Sequence, residues 1–353
     1  MLASETSIIN PMQIQQDVSL REHSTMRLGG KAAYLVEVSS RQELEQAVHW
    51  AQKQRLPVLM IGSGSNIVWR DEGFPGLVIV NKIMGFTVQQ EDSENTYVTI
   101  GGGENWDSVV ARTVEQGLTG IEALSLIPGT AGATPVQNVG AYGQEIADTL
   151  TTVEAYDCQT NTFVTLTQAD CNFGYRTSRF KTTDRGRFLI VSVTLHLLRG
   201  TLQPPFYNAL QAYLEEHHIV DHSPATIRQA VIAIRSSKLP DPATVANNGS
   251  FFANPVVTAE TLDRLLQIDG NIPHWPTSDG KAKIPAAWLV EKAGFKDFHD
   301  SETGMATWPK QSLVLVNEHA QTTAQLLAFR QKILDAIEQK FGITLQQEPE
   351  LLP

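Results

Sequence analysis

The chain has 353 residues, of which 42% are hydrophobic and 18% are charged. This composition is typical of a soluble globular protein with room for two or three domains. The formal net charge of −11 argues against nucleic acid or an anionic membrane as a partner, but not against a small anionic ligand. The first six residues lack a basic segment followed by an apolar one, so we expect no signal peptide.

The first predicted elements form a β-α-β unit. Residues 34–38 alternate like a strand, Ser40 to Glu43 has the pattern of a capping box, and the helix that follows has one apolar face. A second strand, at 57–61, leads directly into the loop Gly62-Ser-Gly-Ser-Asn66. Such a loop invites comparison with dinucleotide-binding and nucleotide-binding motifs.

The loop 62–66 matches neither common phosphate-binding motif. Ile67 stands where a Rossmann loop has its third glycine, and 67–70 has the pattern of a strand instead of a helix. Gly30-Lys31 is not a Walker loop, because Ala32 follows it and no glycine stands five residues before Gly30. If the loop binds a pyrophosphate, we expect it to use backbone amides and to differ from both the Rossmann and the Walker motif.

The central part of the chain has the pattern of a second sheet. A helix starts near Trp106 and ends at Gly117, and a hairpin turns at 157–161. The predicted strands are 77–80, 97–100, 153–156, 163–166 and 188–198.

Between these elements lies an unusual segment, residues 127–143. It holds four glycines and two prolines, and no charged residue occurs between Glu122 and Glu145. The prolines and glycines exclude a membrane-spanning helix. Glycines let main-chain amides approach a phosphate or a ring edge, so the segment suits a flat, partly anionic cofactor; a structural glycine-rich turn is about as good an explanation.

A basic cluster follows, with five basic residues among the twelve from Arg176 to Arg187 and only Asp184 against them. A solvated surface explains most such clusters, while an anion-binding wall is the less common alternative.

The C-terminal part begins after Pro240 and Pro242, which mark a plausible domain boundary. Asn248-Gly249 predicts a turn, with the two phenylalanines after Ser250 on a strand; taken alone, Ser250 would be a turn serine. A helix that starts at Ser223-Pro224 is predicted before this boundary. The elements predicted after it are helices at 258–267, 285–293 and roughly 323–341, and a strand at 312–317.

Cysteine and histidine usage predicts no metal centre. Cys158 and Cys171 are too far apart for a metal-binding pair and are expected to be reduced, buried thiols in a cytoplasmic protein. His218 and His222 stand one helical turn apart, but their stretch lacks the order His-Glu-x-x-His and an obvious third ligand.

Several stretches in a fixed order resemble the UDP-N-acetylenolpyruvoylglucosamine reductase family. They are Thr25–Gly30, Gly62–Asn66, Ile127–Gly143, Phe173–Lys181, Lys238–Pro242, Gly249–Pro255 and Glu348–Glu350. The resemblance implies an α+β protein with the FAD-binding fold of vanillyl-alcohol-type oxidases and a smaller C-terminal substrate domain. The implied domains are an FAD-binding subdomain at 1–86 to which 343–353 return, a second at 87–239, and a substrate domain at 240–342.

The resemblance also implies the reaction. Hydride would pass from NADPH through FAD to the enolpyruvyl ether of UDP-N-acetylglucosamine enolpyruvate, giving UDP-N-acetylmuramate for peptidoglycan. No histidine stands in 62–66 or 127–143 to tether the flavin, so non-covalent FAD is expected. The cofactor-binding residues implied are Gly62, Ser63, Gly64, Ser65, Asn66, Pro128, Gly129, Ala133, Thr134, Gln137, Asn138, Gly140, Ala141 and Arg235.

Three residues carry the implied catalysis. Arg176 matches the arginine that faces the enolpyruvyl carboxylate, Ser250 the proton donor, and Glu350 the acidic partner of that arginine. A fixed guanidinium stabilises negative charge that spreads into a carboxylate, and a donor must then protonate the carbon. Serine is a weak acid, so water or a protonated Glu350 would have to support it. The implied substrate-binding residues are Tyr175, Tyr207, Lys238, Asn254 and Trp275.

Two departures from the family pattern stand out. Ser24 replaces a usual asparagine, which we expect to be tolerated, and Trp275 replaces a usual tyrosine, whose hydroxyl could also accept a hydrogen bond. The segment around Tyr207 resembles the longer subtype of the family. Small molecules are the expected partners of a monomer. The competing hypotheses are a related FAD-dependent oxidase and a non-catalytic nucleotide-binding protein of the same fold.

Overall fold

The structure is a computed structural model that describes residues 12–277 and 279–353; the segment inspected for a signal peptide lies outside them. The N-terminal part forms a four-stranded sheet with the order β1-β2-β5-β3, in which β2, β5 and β3 are parallel and β1 is antiparallel to β2. Its elements are β1 (Gln15–Ser19), β2 (Lys31–Val38), α1 (Arg41–Lys53), β3 (Val58–Ile61), β4 (Ile67–Trp69) and β5 (Phe74–Asn81).

The predicted β-α-β unit is confirmed, with one local difference at its capping box. The Ser40 hydroxyl accepts a hydrogen bond from the Glu43 amide, but the Glu43 carboxylate accepts from the amide of Ser39, one residue further out. The strand predicted after the glycine loop is also present as β4, which confirms that this loop does not open a helix as a Rossmann loop does.

The middle of the chain forms an antiparallel sheet with the order β12-β11-β13-β7-β6, on which β8 pairs with β13. Its strands pack against the helix that starts at Trp106, whose buried face was predicted from its period. The elements are β6 (Phe86–Gln90), β7 (Asn95–Gly101), α2 (Trp106–Glu115), β8 (Leu118–Thr119), β9 (Gly140–Ala141), β10 (Gln144–Glu145), α3 (Ile146–Thr149), β11 (Leu150–Asp157), β12 (Thr162–Thr167), β13 (Phe188–Arg199), α4 (Asn208–Glu216) and α5 (Pro224–Lys238).

The C-terminal part carries its own sheet, β14-β20-β19-β18, and a small sheet, β15-β17-β16, around the long helix α8. Its elements are β14 (Asn247–Ser250), β15 (Val256–Val257), α6 (Ala259–Ile268), β16 (Trp275–Pro276), β17 (Ala282–Lys283), α7 (Ala286–Lys292), β18 (His299–Asp300), β19 (Met305–Trp308), β20 (Gln311–Asn317), α8 (Thr323–Phe341) and β21 (Glu350–Leu352). The last strand, β21, returns to the N-terminal part and pairs in parallel with β4.

One expectation for local structure is wrong, and one helix was missed. The turn predicted at Asn248-Gly249 is part of strand β14; Gly249 has a φ of +69° at a shift in the register between β14 and β20, so the glycine makes a bulge where we predicted a turn. Helix α4 was not predicted, because only Leu210 and Leu214 are buried along its nine residues, which is too weak a period to detect.

The two cysteines are free thiols. Cys171 is buried as predicted, whereas Cys158 is only half-buried, and burial raises the pKa of each to about 11. His222 packs edge-on against Phe206, and no group of histidine, cysteine and carboxylate side chains suited to a metal occurs in residues 12–277 and 279–353. Nowhere in that part of the chain is a helix both long and apolar enough to cross a membrane.

Candidate active site

The two glycine-rich stretches lie against each other. The Ser65 hydroxyl donates a hydrogen bond to the carbonyl oxygen of Pro128 at 2.9 Å, and the side chains of Asn66 and Gln137 are hydrogen-bonded. Gly62 lies so close to Thr130 that a Cβ there would stand 2.2 Å from the threonine Oγ1. The loop 62–66 and the segment 127–143 therefore form one composite surface, which we call the glycine wall.

The glycine wall fits a dinucleotide cofactor such as FAD. Gly64 has a φ of +73°, and a Cβ there would lie 2.1 Å from the carbonyl oxygen of His23, so only glycine allows this tight turn. The Thr130 Oγ1 is buried with no hydrogen-bond partner, which is unusual for a hydroxyl inside a protein. An uncharged surface with close backbone approach and an unsatisfied hydroxyl is what a bound cofactor with phosphate and ring edges needs.

Some residues implied as cofactor contacts instead hold the wall together. The Asn138 side chain donates to the carbonyl of Gly174 and accepts from the amide of Ala147, and the Thr134 hydroxyl donates to the carbonyl of Ala131. Both residues are buried. Their side chains are thus engaged within the protein, and any contact to a cofactor would have to come from their backbone.

Arg176 lies beside the end of the glycine wall. Its backbone has a φ of +56°, which is uncommon for a residue with a side chain. Its Nη2 donates to the carbonyl of Gly140 at 2.6 Å, and its Nε lies 3.3 Å from the Oε1 of Glu348. The guanidinium is therefore held from two sides, and not all of its five N–H donors are used.

The partner of Arg176 is Glu348, whereas we expected Glu350. The amide of Glu348 donates to the carbonyl of Phe251, which brings this carboxylate to Arg176, while the amide of Glu350 donates to the carbonyl of Asn66. The Glu350 carboxylate instead pairs with Arg185 at 2.5 Å. The expected Arg176–Glu350 pair is thus wrong, because the backbone anchors the two glutamates to different neighbours.

Burial changes the acid–base behaviour of this cluster. It raises the pKa of Glu348 above its ordinary value, although Arg176 and Lys181 act in the opposite direction. Burial also lowers the pKa of Lys181, whose Nζ donates to the carbonyl of Glu348 at 3.1 Å. An open groove of about 350 Å³ is lined by Lys181, Arg185, Arg330 and the segment 347–351. We call Arg176, Lys181, Arg185, Glu348 and Glu350 the charged wall.

Ser250 lies where the two walls approach each other. It is half-buried at the end of β14, and its neighbour Phe251 accepts the amide of Glu348. On the other side, the Asn248 side chain donates to the carbonyls of Ser65 and Ile67 at 3.3 and 3.2 Å. The strand that carries Ser250 thus contacts both the glycine loop and the acidic segment, as a proton donor between cofactor and substrate would require.

The four arginines of the basic cluster of 176–187 are ion-paired within the protein. Arg187 forms a bidentate pair with Asp157 and also contacts Asp184, while Arg179 pairs with Asp184 at 2.7 Å. The cluster is mainly a set of ion pairs, several of them with carboxylates far away in the sequence, so a merely solvated surface does not describe it. The anion-binding interpretation stays a prediction, since Arg176 keeps unused N–H donors.

The implied nucleotide-binding residues form two groups. Tyr175 has the Nζ of Lys283 over its ring at 4.3 Å, and Lys283 pairs across the small sheet with Trp275. Tyr207 packs edge-on against Tyr142, whose hydroxyl approaches the buried Arg235. The Nε of Arg235 is buried without a partner.

Of the other two implied residues, Asn254 lies next to the Tyr175 hydroxyl and Lys238 lies apart. The Oδ1 of Asn254 accepts the amide of Ala286, and the Lys238 side chain is exposed at the end of α5. Lys283 was not predicted, because a lone lysine in a short strand has no motif to distinguish it.

Comparison with known proteins matches both parts of the chain. A family model described as an FAD binding domain matches residues 32–167, and one described as UDP-N-acetylenolpyruvoylglucosamine reductase, C-terminal domain, matches residues 241–352. The UDP-N-acetylenolpyruvoylglucosamine reductase of Chromobacterium violaceum is 38% identical over 97% of this chain and 99% of its own. The reductase of Cupriavidus pinatubonensis is 41% identical over 94% of this chain and 97% of its own.

The same family appears among solved structures. The crystal structure of the reductase from Thermus caldophilus superposes with a TM-score of 0.67, covering 97% of this chain and 100% of that one at 21% identity. The predicted FAD-binding fold with a separate C-terminal domain is confirmed. The exact domain boundaries stay predictions.

Proposed function

This chain belongs to the UDP-N-acetylenolpyruvoylglucosamine reductase family of FAD-dependent oxidoreductases, and from that premise we propose that it reduces UDP-N-acetylglucosamine enolpyruvate with NADPH to give UDP-N-acetylmuramate for peptidoglycan. One observation carries the proposal. The guanidinium of Arg176, the strand that carries Ser250 and the segment 348–350 lie together next to the uncharged glycine wall. Polar groups of these types serve the reduction of a carboxylate-bearing double bond.

The chemistry divides between cofactor and protein. Bound FAD would supply the two-electron step, taking hydride from NADPH and giving it to the terminal carbon of the enolpyruvyl ether. As that bond forms, the electron pair of the double bond moves to the neighbouring carbon and into its carboxylate. The N–H donors of Arg176 that Gly140 and Glu348 leave free stabilise this charge. Ser250 then donates its proton to that carbon, and its hydroxyl is reprotonated through water or a nearby acid.

The proposed contacts follow the two walls. Backbone groups of 62–66 and 127–143, with Arg235, would hold FAD without a covalent bond. Tyr175, Tyr207, Lys238, Asn254 and Trp275 would hold the nucleotide part of the substrate, and Glu350 remains a proposed catalytic carboxylate, held by Arg185. The enzyme is proposed to act in the cytoplasm as a monomer on small molecules, without nucleic acid or membrane.

The visible absorbance spectrum tests the proposal. The purified protein should be yellow, NADPH should bleach the flavin band under anaerobic conditions, and the enolpyruvyl sugar nucleotide should restore it. Reoxidation by oxygen with no response to the sugar nucleotide would instead support the oxidase hypothesis. A colourless protein that does not take up added FAD would support the non-catalytic one.

The state of the flavin has its own test. Acid precipitation should release all yellow colour into the supernatant, because no histidine stands in the glycine wall to tether the ring. Colour that stays with the pellet would contradict non-covalent binding.

A further inference from the structure

Arg176 occupies a backbone conformation that needs support. A non-glycine residue in the left-handed region is strained, so the surrounding contacts must hold it there. The backbone is held by a tight turn, in which Gly174 and Thr177 exchange two backbone hydrogen bonds. Two further contacts orient the guanidinium: the carbonyl of Gly140 on Nη2 and the carboxylate of Glu348 near Nε. The first is a fixed backbone group, so the second decides how the guanidinium fork is turned.

Glu348 is itself fixed from several sides. Its amide donates to Phe251, the residue after Ser250, and its carbonyl accepts from Lys181. Its side chain is 15% exposed, and that of Arg176 is 24% exposed. A pair this sheltered is not an ordinary surface ion pair, which solvent would weaken. The hydrogen bond from Glu348 to Phe251 therefore does two things. It brings a rigid carboxylate to Arg176, and it ties the segment 348–350 to the residue next to Ser250, the proposed proton donor.

We propose that Glu348 is a positioning residue of this active site, which holds the Nε side of Arg176 so that the Nη side is presented to the carboxylate of the substrate. The inference rests on the proposed function and deepens it. It assigns to Glu348 the contact with the arginine that we expected of Glu350, and it leaves Glu350 free to act elsewhere. Without Glu348, the guanidinium would keep its charge but lose its fixed orientation.

The rates of the two half-reactions distinguish a positioning role of Glu348 from a general structural one. Reduction of the flavin by NADPH does not involve the substrate carboxylate, whereas reoxidation by the enolpyruvyl sugar nucleotide does. Misplacement of a reacting or stabilising group by about 1 Å can cost roughly 10²-fold in rate. We therefore expect Glu348→Ala to slow reoxidation by about 10²-fold. Glu348→Gln, which keeps an acceptor oxygen for Nε, should slow it by only about tenfold. Reduction by NADPH should change less than twofold in both.

Stopped-flow absorbance on the FAD-loaded enzyme measures both steps. The variants are Glu348→Ala, Glu348→Gln and, as a matched control, Glu302→Gln, which removes a charge from an exposed pair with Lys332. FAD content is measured for each. If Glu348→Ala does not fold, Glu348→Gln carries the test alone.

The possible outcomes distinguish a failure of the proposed function from a failure of the positioning role of Glu348. Unmodified enzyme that NADPH reduces but the sugar nucleotide does not reoxidise overturns the proposed function, and with it this role. Normal turnover in the unmodified enzyme with unchanged reoxidation in Glu348→Gln and Glu348→Ala overturns the positioning role alone. Equal slowing of both half-reactions also overturns it, since that pattern shows a residue that merely supports the fold.

Discussion

The glycine wall and the charged wall meet at one site but are built in opposite ways. The glycine wall is held by backbone geometry and a few neutral hydrogen bonds, such as that from Ser65 to Pro128. The charged wall is held by ion pairs, Arg176 with Glu348 and Arg185 with Glu350. A surface that must approach a flat cofactor closely excludes side-chain bulk, whereas a surface that handles charge must fix it with opposite charge.

This difference also decides how each wall responds to change. Substitution of the crowded glycines of the glycine wall, Gly62 and Gly64, should weaken cofactor binding strongly, because an added Cβ would stand 2.1 to 2.2 Å from a neighbouring oxygen. Substitution in the charged wall should leave the yellow protein intact and alter its chemistry or its stability in acid. The following experiments test that contrast.

The largest effect is expected for Gly64→Ala. The new Cβ would stand 2.1 Å from the carbonyl of His23 in a backbone with φ of +73°, so the loop must move. Overpacking and backbone strain together cost of the order of 3 kcal/mol, enough to weaken FAD binding by about 10²-fold or more. Gly186→Ala is the matched control: φ is +75°, but nothing lies within 4 Å of the added Cβ. Flavin titration should separate the two, and equal FAD affinity would contradict the steric argument.

Ser250→Ala tests the junction between the walls. NADPH should still reduce the flavin at nearly the normal rate, while reoxidation by the sugar nucleotide should fall by roughly 10²-fold, the usual effect of losing a placed general acid. Ser250→Cys should recover part of that loss. Single-turnover absorbance measures both steps. Equal slowing of both would make Ser250 a structural residue of the β14 bulge, and no slowing would mean that another group donates the proton.

The ion pairs beside the charged wall should show in the acid stability of the protein. Hydrogen bonds from Arg187 lower the pKa of the Asp157 carboxyl from 3.8 to about 2. Because the folded pKa lies below the unfolded one, this pair stabilises the fold above pH 4, and the contribution is lost as the pH falls through 2. The shift corresponds to about 2 kcal/mol.

Urea unfolding midpoints between pH 5 and pH 2 check this prediction. Asp157→Asn should be less stable near pH 5 and should lose less stability on acidification than the unmodified protein. Asp279→Asn is the control, since the Asp279 pKa is also about 2 but its pair with Lys281 is exposed and screened. Identical pH profiles for Asp157→Asn and the unmodified protein would show that the Asp157–Arg187 pair does not contribute to acid stability.

The smallest effect on the fold is expected for Lys238→Ala. The side chain is exposed, and only the backbone carbonyl of Lys238 holds Trp308, so stability should change by less than about 0.5 kcal/mol. The KM for the sugar nucleotide should nevertheless rise severalfold if Lys238 contacts the diphosphate. Lys53→Ala, at the exposed end of α1, provides the control. An unchanged KM would make Lys238 an ordinary surface lysine.

The sequence was most informative where structure is local. Helix α8 was predicted at roughly 323–341 from its apolar period and the glycine that closes it, and in the structure Gly342 ends it with a φ of +61°. The glycine wall was also visible, since its lack of charge and its glycines are properties of single stretches. The partner of Arg176 was not visible in the sequence. It depends on which backbone carbonyls anchor Glu348 and Glu350, and those carbonyls, of Phe251 and Asn66, meet the two glutamates only in the folded chain.

The return of β21 to β4 has a consequence for the order of events during synthesis. Residues 350–352 pair with 67–69, so the active site closes only after residue 352 has been made. At roughly 5–20 residues per second, about 15 to 60 seconds separate the synthesis of the glycine loop from that of the two glutamates. The nascent chain therefore acquires its cofactor loops well before Glu348, which pairs with Arg176, and Glu350, which pairs with Arg185.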